Sequence, residues 1–174
     1  MIGFLTIGIP TVYRTKGDSG FTYLKATLDS LTKKVTDDEK SDVVLLVFIA
    51  EFDLQRSAEI VRFIQATYAS YLNSGFIQIM QVKKDAYPPL EGLKRNYNDD
   101  ERRVKWRSKQ VVDYAFMFYY ARNISQYYIQ IEDDVYAATG FIIICYKWLY
   151  QSSDETLGHT PVLFPGIHRE ANAI

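Results

Sequence analysis

Tyr127-Tyr128-Ile129-Gln130-Ile131-Glu132-Asp133-Asp134-Val135 is the stretch whose reading decides the fold. Its first half is aromatic or β-branched, the types that suit a pleated surface. The apolar run is almost unbroken, as expected of a strand covered on both faces in a parallel sheet. It then runs out into three consecutive acids, Glu132, Asp133 and Asp134. Three adjacent carboxylates would repel one another in a dry core. At a strand's carboxyl end they face the crevice where open α/β sheets bind ligands. Hard oxygen donors there suit magnesium or manganese, usually shared with substrate phosphates. Taken alone, Glu-Asp-Asp also fits a solvated acidic turn after a strand, so the rest of the chain has to arbitrate.

Read outward from this stretch, the chain alternates. An apolar segment over residues 4–9 ends at Pro10 and reads as the first strand. Asp18 or Ser19 is a candidate cap for a helix over 21–35, where Leu24, Leu28, Leu31 and Val35 recur at helical spacing. Residues 42–49 form a second buried strand, ending near Glu51 and Asp53. An amphipathic helix over 54–72 and a third strand over 76–82 follow. Residues 83–98 contain Pro88-Pro89 and no periodicity, a long loop of the kind that is often functional. A helix begins at Asp99 or Asp100 and runs to about Ala121, with Val104, Val111, Ala115 and Phe118 as its buried stripe. After the Glu-Asp-Asp strand one more helix runs from Thr139 or Gly140 to about Tyr150, and from about Ser152 the pattern dissolves around a single apolar run, 162–164. Strands alternating with helices predict an α/β fold with a mostly parallel sheet.

Composition narrows the function. A chain of 174 residues with net charge −1 has one domain's worth of core and no dedicated nucleic-acid surface. Cys145 is the single cysteine, and the two histidines, His159 and His168, lie in the tail, which leaves oxygen ligands for any metal. No signal-peptide pattern and no apolar run of membrane-spanning length is present in the sequence. Phosphate-loop, dinucleotide and nucleophile-elbow motifs are also missing, so ATPase, dehydrogenase and hydrolase readings lose their support. Asn123-Ile124-Ser125 is a glycosylation acceptor pattern.

Three clusters converge on one edge if the strand ends align. Thr11 and Arg14 follow the first strand, and an Arg fork there either holds a diphosphate or is a surface side chain. Glu51 and Asp53 follow the second strand, where an acid accepts hydrogen bonds from a ribose or a base N–H; Asp53 taken alone suits a helix cap better. Arg102, Arg103, Lys105, Arg107 and Lys109 form a basic run at a helix start, either a solvated face or a set of charges joined to the dipole's positive end to attract phosphates. Trp106, within this run, reads as a packed anchor rather than a base-stacking platform, and Asp113 as the partner of Lys109 one turn away.

Four blocks together resemble the N-acetylglucosaminyltransferase IV family of glycoprotein 4-β-N-acetylglucosaminyltransferases. They are Phe4-Leu5-Thr6-Ile7-Gly8-Ile9-Pro10-Thr11-Val12, Val47-Phe48-Ile49-Ala50-Glu51-Phe52-Asp53, Glu101-Arg102-Arg103-Val104-Lys105-Trp106-Arg107-Ser108-Lys109-Gln110 and Tyr127 to Asp134. The resemblance implies a Rossmann-like GT-A domain in the Golgi lumen. It implies UDP-GlcNAc as donor, a divalent metal such as manganese, and inverting transfer to a mannose of an N-glycan core. By that resemblance Asp134 is the metal ligand, Glu132 holds the ribose directly or through water, and Asp133 supports the metal or the sugar. Thr11, Arg14, Glu51 and Asp53 surround uridine and diphosphate, with Arg107 in the charged helix start on the donor side. The relatives begin with a membrane anchor and stem, whereas this chain starts close to its first strand. The resemblance fades after Ser152-Ser153-Asp154-Glu155. Residues 1–151 are therefore expected to be the donor-binding part and 152–174 an irregular tail, with the C-terminal acceptor half and its general base missing. Asp154, Glu155 and Glu170 are the acids left there. A non-catalytic fragment that binds a nucleotide or a partner transferase is the alternative.

Overall fold

The computed structural model describes residues 3–14, 20–95, 97–153 and 162–163. In chain order come β1 (Gly3–Thr11), α1 (Thr22–Lys34), β2 (Val43–Ile49), α2 (Leu54–Thr67), α3 (Ala69–Asn73), β3 (Ile77–Gln81), α4 (Glu101–Ala121), β4 (Ser125–Gln130), α5 (Phe141–Ser153) and β5 (Val162–Leu163). All strands are parallel, in the order β3-β2-β1-β4-β5. This bears out the parallel α/β expectation and follows the Rossmann-like strand order. The chain reverses direction across the sheet between β1 and β4, which makes their carboxyl ends the switch point.

Period-two alternation splits the strands between two cores. Leu5, Ile7 and Ile9 of β1 and Leu45, Val47 and Ile49 of β2 face α1, α2 and α5 in the larger core. Leu46 and Phe48 of β2 and Tyr128 of β4 face Met117 and Ala121 of α4 in the smaller one. Gly8 is required here. A Cβ at that position would lie 1.9 Å from the Tyr128 hydroxyl and 2.8 Å from Met117 Cε, so even an Ala would force the Tyr128 and Met117 side chains to move. Leu5 and Leu45 are fully buried, and truncating either to Ala should cost about 2–5 kcal/mol.

Several local expectations are corrected. β1 continues through Pro10 to Thr11. Gly8 O accepts from Ile131 on the β4 side and Thr11 O from Ala50 on the β2 side, both in backbone hydrogen bonds. By alternation the nitrogen of Pro10 faces β4 beyond its last residue, where no ladder donor is needed. The helix expected over 54–72 is broken at Tyr68. There the backbone leaves the helical region so that the buried ring reaches α1 and its hydroxyl donates to Asp29 Oδ1 at 2.8 Å. The N-cap of α1 is Phe21, without a side-chain cap, while Asp18 and Ser19 lie outside the described residues. The apolar run of the tail supplies β5, which pairs with Tyr128 and Ile129 of β4.

Candidate functional site

A cleft of about 560 Å³ opens at the carboxyl ends of β1, β2 and β4. Its sheet side is built by a cross-link between β1 and the acids after β4. Thr11 Oγ1 donates to Asp133 Oδ2 at 2.7 Å, and the Arg14 guanidinium pairs with Asp133 Oδ1. The two sides of this ion pair differ, since the Asp133 side chain is buried and that of Arg14 is 37% exposed. Burial pushes the Asp133 carboxyl above its ordinary value, against the hydrogen bond from Thr11 and the charge of Arg14. Just before the acids, Gln130 clamps the strand end. Its Nε2 donates to Gly8 O and Ile131 O, each at 3.1 Å, while its Oε1 accepts from the Tyr128 hydroxyl. Asp133 thus points inward, Asp134 is exposed, and Glu132 is half-buried.

The facing wall is one side of α4. Trp106, Lys109, Gln110, Asp113 and Tyr114 line the cleft at i, i+3, i+4, i+7 and i+8, a single helical stripe. Lys109 and Asp113 form an enclosed pair, their side chains 17% and 6% exposed. The ammonium donates to both Asp113 oxygens, at 3.0 and 2.8 Å, and to Ala50 O at 2.9 Å. It also lies 4.6 Å from the Phe52 ring centre and 5.3 Å from that of Tyr87. Tyr87, from the loop over 83–100, donates its hydroxyl to Asp113 Oδ1 at 2.5 Å. Burial and that hydrogen bond raise the Tyr87 phenol well above its ordinary value. One cation therefore ties α4, the end of β2 and the long loop together.

Of the site residues read from sequence, Thr11, Arg14, Glu51, Glu132, Asp133 and Asp134 come together in the cleft. Asp53 and Arg107 are not among its lining residues. Asp53 caps α2, accepting from Gln55 N and Arg56 N at 2.9 and 3.1 Å. Arg107 pairs with Asp99 at 2.8 Å. The rest of the basic run is similarly engaged, Arg102 with Asp100, Arg103 with Asp99 and Lys105 with Glu91. Only Lys109 of that run lines the cleft. Trp106 is no packed anchor: it is 62% exposed at the cleft's mouth. Gln110 and Tyr114 were missed, although their spacing from Trp106 was a usable signal. Asp154, Glu155, Glu170, His159 and His168 lie outside the described residues.

Charge dictates what the cleft accepts. Glu51, Asp113, Glu132, Asp133 and Asp134 outnumber Arg14 and Lys109, and both cations already hold an acid. A polyanion entering alone would meet net negative charge. Among the described residues no three His, Cys, Asp or Glu side chains converge as a metal cage. Exposed Asp134 nevertheless fits a hard divalent ion of the kind held by one or two carboxylates plus ligand phosphates.

Fold and cleft together define an open parallel α/β domain with an acidic cleft at its switch point. Residues 2–157 match the family model described as the MGAT4 conserved region, and the chain belongs to that family. It is 44% identical over 138 residues to a Gallus gallus alpha-1,6-mannosyl-glycoprotein 4-beta-N-acetylglucosaminyltransferase, covering 79% of this chain and 29% of the relative. It is 40% identical over 139 residues to the Danio rerio alpha-1,3-mannosyl-glycoprotein 4-beta-N-acetylglucosaminyltransferase C, covering 80% and 30%. The chain thus spans less than a third of the length of these curated relatives. Among solved structures, S. aureus TarS 1–349 aligns with a TM-score of 0.45 at 14% identity, over 85% of this chain and 32% of that one.

Proposed function

We infer that this chain is the donor-binding part of a GT-A glycosyltransferase that moves GlcNAc from UDP-GlcNAc to a mannose of an N-glycan core. The observation that carries the reading is the acidic cleft at the switch point of a chain whose relatives are named as N-acetylglucosaminyltransferases. The reaction inverts the anomeric centre and proceeds in the Golgi lumen. Manganese, held by Asp134 and the diphosphate, would offset charge on the departing UDP as a Lewis acid.

The chain's own residues bind and orient. Glu51, at the end of β2, accepts from the uracil or ribose. Glu132 accepts from the ribose. Arg14, the more exposed partner of its pair, turns its outward N–H groups to the diphosphate while Thr11 and Asp133 keep its base in place. Trp106 and Tyr114 offer flat apolar faces on the opposite wall. Held between two walls, the donor loses rotational freedom before the acceptor hydroxyl arrives. The two relatives are named for different mannose linkages, so the reading stops at mannose as acceptor class.

Thermal unfolding with manganese tests the donor. UDP-GlcNAc should raise the midpoint, because a ligand that binds only the folded state stabilises it by mass action. GDP-mannose should not. Equal stabilisation by both, or by neither, contradicts the reading.

A further inference from the structure

The amino end of the sheet, opposite the cleft, carries the sequence's single Asn-x-Ser/Thr triplet without a central proline, Asn123-Ile124-Ser125. We propose that Asn123 is an N-glycosylation site, modified before β4 docks against β1. Asn123 is exposed in the turn that follows α4. On the last turn of that helix Tyr119 is 63% exposed with the Arg122 guanidinium 3.9 Å from its ring centre, and Tyr120 is 41% exposed. The cleft lies beyond the far end of β4, a strand of six residues, hence roughly 20 Å away. A glycan on Asn123 leaves the cleft open.

The order of events follows from Ser125. A glycosylating enzyme has to grip the serine hydroxyl of the triplet as well as the asparagine amide. In the fold Ser125 is buried, its hydroxyl 2.6 Å from Thr6 Oγ1 and donating to Tyr127 O at 2.8 Å. Ile124 O accepts from Gly3 N at 2.8 Å, tying the triplet's backbone to the start of β1. The folded chain shows Asn123 and hides the other half of the motif. In the transfer, the Asn123 amide nitrogen bonds to the anomeric carbon of a lipid-diphosphate-linked oligosaccharide. That carbon's bond to the diphosphate oxygen breaks, the lipid diphosphate leaves, and the amide gives up one proton.

In the cell the modification rests on the lumenal placement inferred above, but its chemistry can be tested apart from it. The full chain is translated behind a cleavable signal peptide in the presence of microsomes, which supply the lumen wherever the protein naturally resides. Wild type should show one upward mobility shift that peptide N-glycosidase removes. Asn123→Gln and Ser125→Ala should lose the shift, and Ser125→Thr should keep it. Purified folded chain, given solubilised oligosaccharyltransferase and donor, should remain unmodified. An unshifted wild type, or a shifted Asn123→Gln, overturns the site. Modification of the folded chain as complete as that of the nascent one overturns the order. Neither result bears on nucleotide binding in the cleft, and failure of UDP-GlcNAc to bind would leave this site untouched.

Discussion

Two ion pairs line the same cleft and are built to opposite ends. Arg14–Asp133 buries its acid and leaves its cation 37% exposed. Lys109–Asp113 encloses both partners, at 17% and 6%, under the Phe52 and Tyr87 rings and against a backbone carbonyl. An exposed guanidinium can keep one carboxylate and still offer N–H groups to a second anion, because its five donors form a fork. An ammonium already donating to two carboxylate oxygens and a carbonyl has nothing left to offer. The same charge chemistry therefore leaves donors to spare on the sheet side and fixes shape on the helix side.

The largest effect that would break this contrast is expected at Asp113. Asp113→Ala strands a buried ammonium and should cost about 3 kcal/mol of stability, read by urea unfolding. A loss below about 1 kcal/mol, as for an exposed pair, would mean that the helix-side pair is not structural. Next comes Arg14→Ala. It should weaken UDP-GlcNAc by about tenfold or more, since a charge-assisted hydrogen bond contributes roughly 1.5–3 kcal/mol. Its stability should fall by less than that of Asp113→Ala, because buried Asp133 keeps the Thr11 hydrogen bond and Arg14 is itself partly exposed. The reverse pattern, strong destabilisation with intact binding, would exchange the roles of the two pairs.

Tyr87→Phe sharpens the helix side further. It should cost about 1 kcal/mol near neutrality by removing a single hydrogen bond to Asp113. It should also change the alkaline limb. The folded phenol titrates above its ordinary value of about 10, so its stabilisation is complete below that pH and is lost as pH rises through the folded value. Unfolding curves from pH 9 to 11 should therefore fall less steeply for Tyr87→Phe than for wild type. An unchanged slope would contradict the burial of that hydroxyl. The smallest expected stability effect is at Trp106, where truncation to Ala should stay within about 0.5 kcal/mol because the ring is exposed.

The contrast also separates what could be read from sequence from what could not. Continuous apolar runs such as residues 43–49 announce buried strands, and acids after them announce a cleft edge, so β1, β2, β4 and the Glu132–Asp134 turn were legible. Sequence paired Lys109 with Asp113 one turn away but did not show that Lys109 is enclosed while Arg107 is not. Lys109 and Arg107 stand in one basic run, and only the packing of Phe52 and Tyr87 over the former shows that it is enclosed. Asp53 read better as a helix cap than as a ligand in sequence, and its position before the Gln55 and Arg56 amides makes it the cap of α2. The break at Tyr68 was hidden because apolar spacing continues across it while the backbone does not. β5 is two residues long, too short to display any period.

The central proposal is that a divalent cation at Asp134 strengthens the cleft's hold on a nucleotide diphosphate. Calorimetric titration of UDP into wild type and Asp134→Ala, each with manganese and with a chelator, tests it directly. The account predicts that manganese tightens UDP binding to wild type by at least about tenfold, about 1.4 kcal/mol, and that this gain disappears in Asp134→Ala. Equal affinity of wild type with manganese and with chelator, or a full manganese gain in Asp134→Ala, would contradict it.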